Sequence, residues 1–129
     1  MNVSYDFFVP SAKEYVKALK SVKKQLSDDQ RKMLEAHYRI FNHSITFGQF
    51  AELIGANGYQ VALDAYEDLG RLLGEKLNMD FLESVSRPGE PLCCSAIGSG
   101  NPYRKEDESY FLVMHKELVE ALRLLKWFK

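Results

Sequence analysis

The sequence predicts a mainly α-helical single domain that carries a small β-hairpin late in the chain. Three observations predict it. Ser11 with Glu14, Ser27 with Gln30 and Thr46 with Gln49 each set a hydroxyl three residues before a Glu or Gln, the reciprocal arrangement that starts helices. Apolar residues recur every three or four positions over 59–77, the period of a helix with one buried face. Beyond Pro88, Gly89 and Pro91, two short runs at 92–97 and 110–114 flank a polar loop and suit a pair of strands.

Each element follows from its own residues. After Ser11, Tyr15, Val16, Leu19 and Val22 keep helical spacing, while Lys13, Lys17, Lys20, Lys23 and Lys24 fall largely on other faces. The plainer reading of those lysines is a solvated face, and the sharper one is an arm that contacts phosphates. A second helix over 28–41 places Met33, Leu34, His37, Tyr38 and Phe41 inward, with Asp28 and Asp29 near its positive end. A short third helix over 46–54 turns Phe47, Phe50, Ala51 and Ile54 inward and ends at Gly55, ahead of Ala56-Asn57-Gly58. The long helix over 59–77 buries Ala62, Ala65, Tyr66, Leu69, Leu72, Leu73 and Leu77. Gly70 and Gly74, four apart, predict the close approach of another helix. A final helix over 116–127 follows His115 and presents Leu118, Val119, Leu122 and Leu125 on one face, with Trp127 and Phe128 near its end.

The helical part therefore covers 11–87, the hairpin 92–114 and the last helix 116–127, all in one domain of residues 1–129. Helix, short helix, turn, long helix and hairpin succeed one another in the order of a winged helix-turn-helix. On that pattern 28–41 is the supporting helix, 46–54 the second, 59–77 the reading helix and 98–108 the wing.

Composition narrows the function classes. With 46% hydrophobic and 12% aromatic residues, the 129-residue chain can fill one core, so disorder is excluded. No apolar run reaches the roughly eighteen residues of a membrane span. The first ten residues lack the basic start and long apolar stretch of a signal peptide. Adjacent Cys93 and Cys94 cannot build a disulfide framework, which leads to the expectation of a reducing, cytoplasmic setting. Charge is divided along the chain. Residues 1–44 hold eight basic against five acidic residues, 45–90 three against eight, and 91–129 six against five. The first third is basic and the middle acidic, an unfavourable balance for a helix meant to grip phosphates.

Two stretches carry a resemblance. "LSDDQRKMLEAHY" and "SITFGQFAELIGANGYQVALDAYEDLGRLLGEKL", residues 26–38 and 44–77, form the first; "SYFLVMHKELVEALRLLKWF", residues 109–128, forms the second. Together they resemble the region that precedes the nuclease in bacterial HNH-type restriction endonucleases. There a helix with "LxxHY" leads to "T-x-x-Q-L/F-A-x-x-x-G" and then to a "Y-x-x-L-G-x-x-L" segment, here Tyr66, Leu69, Gly70 and Leu73. The closing segment of that region matches Glu117, Leu118, Ala121, Leu122, Leu125 and Trp127 loosely. The matching residues are mainly core and turn residues, so the resemblance implies a shared fold more than a shared chemistry. The His and Asn residues and cysteine pairs of the nuclease module have no counterpart in these 129 residues. What is implied is an accessory module that positions a nuclease on nucleic acid, with no nuclease activity of its own.

Catalytic chemistry finds little footing. Cys93 and Cys94, adjacent in a strand, would face opposite sides, one buried and one exposed, and could not share a metal ion. His37, His43 and His115 lack the paired spacing of zinc ligands. His115 could approach the cysteines as a base, but a histidine flanking a helix is the simpler reading. Gly98-Ser99-Gly100 lacks the Lys-Ser/Thr of a phosphate loop. Glu106, Asp107 and Glu108 read as solvated charges. Tyr38, Phe41, Phe47, Phe50, Tyr59 and Tyr66 follow helical spacing and are expected in the core.

The expectation is a non-enzymatic module without cofactor or metal that binds DNA in restriction or defence. Its contacts would be Lys13, Lys17, Lys20, Lys23 and Lys24, with Gln60 and Arg71 on the long helix and Tyr103, Arg104 and Lys105 in the loop. The alternative is a small inhibitor or adaptor that sets Asp64, Glu67 and Asp68 against a basic protein.

Overall fold

The computed structural model describes residues 9–79, 81–83, 91–100 and 111–128. Helices dominate: α1 (Ala12–Val22), α2 (Asp28–Arg39), α3 (Phe47–Ile54), α4 (Tyr59–Leu77) and α5 (Lys116–Leu125). All three reciprocal caps form. Ser11 accepts from the Glu14 amide at 3.2 Å, Ser27 from Gln30 at 3.1 Å and Thr46 from Gln49 at 3.1 Å, and each partner side chain returns a bond to the cap amide. Such caps contribute about 1 kcal/mol each. Gln30 does more than cap, since its Nε2 also donates to the Ala65 carbonyl at 2.9 Å and ties α2 to α4. α3 stops at Gly55, whose φ of 70° is the left-handed conformation that a glycine adopts without strain.

The helices pack around a core of Tyr15, Leu19 and Val22 from α1, Met33 and Leu34 from α2, and Phe50 from α3. Tyr66, Leu69 and Leu73 of α4 and Leu118 and Leu122 of α5 complete it. The Phe50 and Tyr66 rings meet at 4.5 Å between centroids. A small antiparallel sheet closes one side, with strand order β1 (Ser44–Thr46), β5 (Phe111–Met114), β4 (Gly98–Ser99). Its register pairs Ile45 with Leu112 and Gly98 with Met114. Along β5, Leu112 and Met114 are buried while Phe111 and Val113 face out, the alternation of a sheet covered on one face. A second antiparallel pair joins β2 (Leu82–Glu83) to β3 (Pro91–Leu92).

Several expectations change here. β1 was not foreseen, and the segment over 92–97 is not one strand. It leaves β3 at Leu92, forms a 3-10 helix at Cys93–Ala96 and re-enters the sheet only at β4. The cause is Glu67, whose carboxylate accepts from the Cys93 amide at 3.2 Å and the Cys94 amide at 2.5 Å, curling the chain against α4. Consequently both cysteines are buried and free, instead of one in and one out. Gly70 admits this 3-10 helix, not a long helix, and Gly74 admits the Phe81 ring. α2 ends two residues early, which leaves Phe41 84% exposed, and Tyr59 at the head of α4 is 60% exposed; neither enters the core.

One bond joins α1 to the 3-10 helix. The Tyr15 hydroxyl, with its side chain wholly buried, donates to the Ala96 carbonyl at 2.6 Å. Tyr15→Phe keeps the ring and strands that carbonyl, so urea unfolding should show a loss of about 1–2 kcal/mol. A variant of unchanged stability would mean that this bond contributes nothing net.

Candidate nucleic-acid interface

α1 separates its two faces cleanly. Tyr15, Ala18, Leu19 and Val22 are buried, while Lys13, Lys17, Lys20 and Lys24 follow at intervals of four, three and four and are exposed. Lys24 belongs to the 3-10 turn Lys23–Gln25 that continues the helix, so the stripe spans about 16 Å at helical rise. None of these lysines is ion-paired with a described residue.

At its C-terminal end the stripe meets two other elements. Lys20 and Lys23 join Arg31 of α2 and Leu125, Lys126 and Trp127 from the end of α5 around an open cavity of about 490 Å³. Lys23 Nζ stands 5.4 Å from the centre of the Trp127 ring, in cation–π range. Lys126 ends α5 in the left-handed conformation, with φ 56°. Among the described residues no carboxylate lines this cavity. Arg31, Lys126 and Trp127 were not among the residues expected from sequence. They come together only because α1 packs on α5, and the sole advance signal was that Trp127 is the chain's one tryptophan.

α4 offers the opposite character. Gln60 Nε2 is engaged with Asp64 Oδ1 at 2.9 Å, so its amide is not presented freely to a base edge. Arg71 lies between Asp68 at 2.9 Å and Glu75 at 3.9 Å, neutralised on a solvated face. Asp64 and Asp68 are exposed, but Glu67 is turned inward to Cys93 and Cys94 and drops out of the acidic patch. The α1 lysines are thus brought together, whereas Gln60 and Arg71 stand apart from the cavity among carboxylates. Tyr103, Arg104 and Lys105, with the remainder of 101–108 in the expected wing 98–108, lie outside the described residues.

The groups with reactive potential are committed to the core. Burial, then the Glu67 carboxylate, pushes the Cys94 thiol well above its ordinary range, and the same two causes raise Cys93. His115 Nε2 donates to the Ser95 carbonyl at 2.8 Å, and burial lowers its basicity. Among the described residues no three His, Cys, Asp or Glu side chains gather as a metal site would require, and no helix is long and apolar enough to cross a membrane. No protein-family model, curated protein or solved structure matches the chain.

Proposed function

We propose that this chain is a non-enzymatic, winged-helix-like module that holds DNA by its phosphate backbone, in transactions of the restriction or defence kind. The winged-helix reading is supported by the order α2, β1, α3, α4, then, after the β2–β3 pair and the 3-10 helix, β4 and β5, with β5 paired between β1 and β4. The observation that carries the binding reading is the unpaired stripe Lys13, Lys17, Lys20 and Lys24. Its length matches the axial rise of roughly five base pairs. The contact is with backbone and carries little sequence information, because α4, the helix that would read bases, is acidic.

Four neutralised phosphates imply that affinity for a labelled duplex falls about a hundredfold between 50 and 200 mM salt. Anisotropy titration should show this, and the triple change Lys17→Glu, Lys20→Glu, Lys24→Glu should abolish binding while the circular dichroism spectrum stays the same. Absence of binding to duplex and single strand at the lower salt overturns the proposal.

A second reading has its own support. Leu53 of α3 and Tyr59 and Val61 of α4 are exposed, and the exposed Asp64 and Asp68 follow Val61 at helical spacing. That combination suits a small inhibitor or adaptor docking a basic protein. It gains if the chain ignores DNA and Tyr59→Ala with Asp68→Lys abolishes capture of a basic partner.

A further inference from the structure

We infer that the cavity between α1, α2 and the end of α5 binds the terminal phosphate of a nucleic-acid strand, with the adjoining nucleoside against Leu125 and Trp127. The inference rests on the nucleic-acid reading above and names the part of the ligand that this one site takes.

Lys20, Lys23, Arg31 and Lys126 converge from three elements, and among the described residues no lining carboxylate offsets them. Water and salt screen these exposed cations in part, and a bound anion would offset their charge further. An internal phosphodiester carries one negative charge, and an open stripe such as that of α1 suffices for it. A terminal phosphomonoester carries a charge of about −1.5 to −2 and three strong acceptor oxygens, and it matches a converging cluster better. Arg31 can bind two of those oxygens at once, and the lysines supply point charges.

The rest of the lining fits a nucleoside. At about 490 Å³ the cavity lies in the size range of small-molecule sites. Leu125 gives an apolar wall, and Trp127 an aromatic surface already in contact with a cation, where a base can exchange with Lys23. Lys126 enters the cavity from the end of α5, where its amide bonds the Leu122 and Arg123 carbonyls. Its φ of 56° is disfavoured for any residue with a Cβ, and glycine is the usual occupant of such a helix end. A lysine at this helix end places a cation at the cavity.

Because Trp127 is the only tryptophan, its fluorescence reports occupancy of the site directly. The full chain is titrated with a fluorescein-labelled single strand bearing a 5′-phosphate, the same strand bearing a 3′-phosphate, and the same strand with hydroxyl ends. Inorganic phosphate serves as competitor. The expected result is binding about tenfold tighter for at least one phosphorylated end than for the hydroxyl strand, with a change in Trp127 emission. Arg31→Gln with Lys126→Gln, both on exposed side chains, should weaken every strand somewhat and remove the preference, so that the phosphorylated strand loses about tenfold more affinity than the hydroxyl strand. Equal affinity for all three strands overturns the end-binding site while leaving the backbone reading in place. Inorganic phosphate that competes as strongly as the phosphorylated strand overturns the nucleoside part and with it the inference. A phosphorylated strand bound through its end alone, with no duplex binding, sinks the backbone reading and keeps this site.

Discussion

Gly70→Ala is expected to destabilise the protein by about 3 kcal/mol or more, a large fraction of the roughly 5–15 kcal/mol that holds an ordinary domain folded. A Cβ on Gly70 would lie 2.2 Å from the Cys93 carbonyl oxygen, 2.6 Å from its carbon and 3.0 Å from Cys94 Cα. All three obstacles are backbone, so no rotamer change relieves them. The 3-10 helix cannot simply retreat, because Glu67 holds the Cys93 and Cys94 amides and Tyr15 holds the Ala96 carbonyl. Against this stands the helix propensity gained on replacing glycine by alanine, about 1 kcal/mol, which the clash outweighs. Gly48 in α3 provides the contrast, since a Cβ there meets only Thr46 Oγ1 at 3.8 Å. Gly48→Ala should leave the urea midpoint unchanged or slightly higher. If Gly70→Ala unfolds within about 0.5 kcal/mol of the parent, α4 and the 3-10 helix are not locked as described.

Gly70 also shows where sequence reading stops. That something must pass closely over Gly70 and Gly74 was legible from their spacing, but not what it was. The three capping boxes were legible because both partners lie within one turn, and the lysine stripe because its spacing is a property of one helix. The sheet was hidden by its brevity. β1 has three residues and β4 two, too few to show a period of two, and β1 finds its partner far along the chain at Val113. Leu92 to Ile97 had a strand's composition and lost it to a carboxylate 26 residues upstream, a tertiary contact that local preference cannot register. Phe41 and Tyr59 had core character and helical spacing, yet each lies at a helix boundary where the inward face runs out. The cavity was least legible of all, since Arg31, Lys126 and Trp127 share a face only after α1, α2 and α5 have packed.

Acidification should remove about 2 kcal/mol of stability between pH 7.5 and 5 through His37 alone, and about 3 kcal/mol over its full range. His37 is fully buried on α2 and bridges two elements. Its Nε2 donates to the Leu112 carbonyl of β5 at 2.9 Å, because a carbonyl can only accept. Nδ1 therefore accepts, and the donor is the Tyr66 hydroxyl of α4 at 2.7 Å. This arrangement requires the neutral ring. A proton on Nδ1 would force the Tyr66 hydroxyl to rotate and accept, and its own hydrogen would then have no water to turn toward in the core. Burial accordingly lowers the His37 pKa from its ordinary 6.5 to about 4, against the smaller opposing pull of backbone hydrogen bonds to Leu112 and His43. The unfolded chain thus takes up a proton near pH 6.5 that the folded chain refuses until about pH 4, and stability falls as pH drops through that window. His115, lowered by burial, adds in the same direction. Urea unfolding at a series of pH values checks the slope, and ring NMR of the folded protein checks the titration midpoint. In His37→Gln the window from pH 6.5 to 5 should flatten to the part owed to His115, even though the variant starts from lower stability. A slope that survives the substitution intact would assign the acid sensitivity to other groups and leave the Tyr66–His37–Leu112 bridge without its electrostatic role.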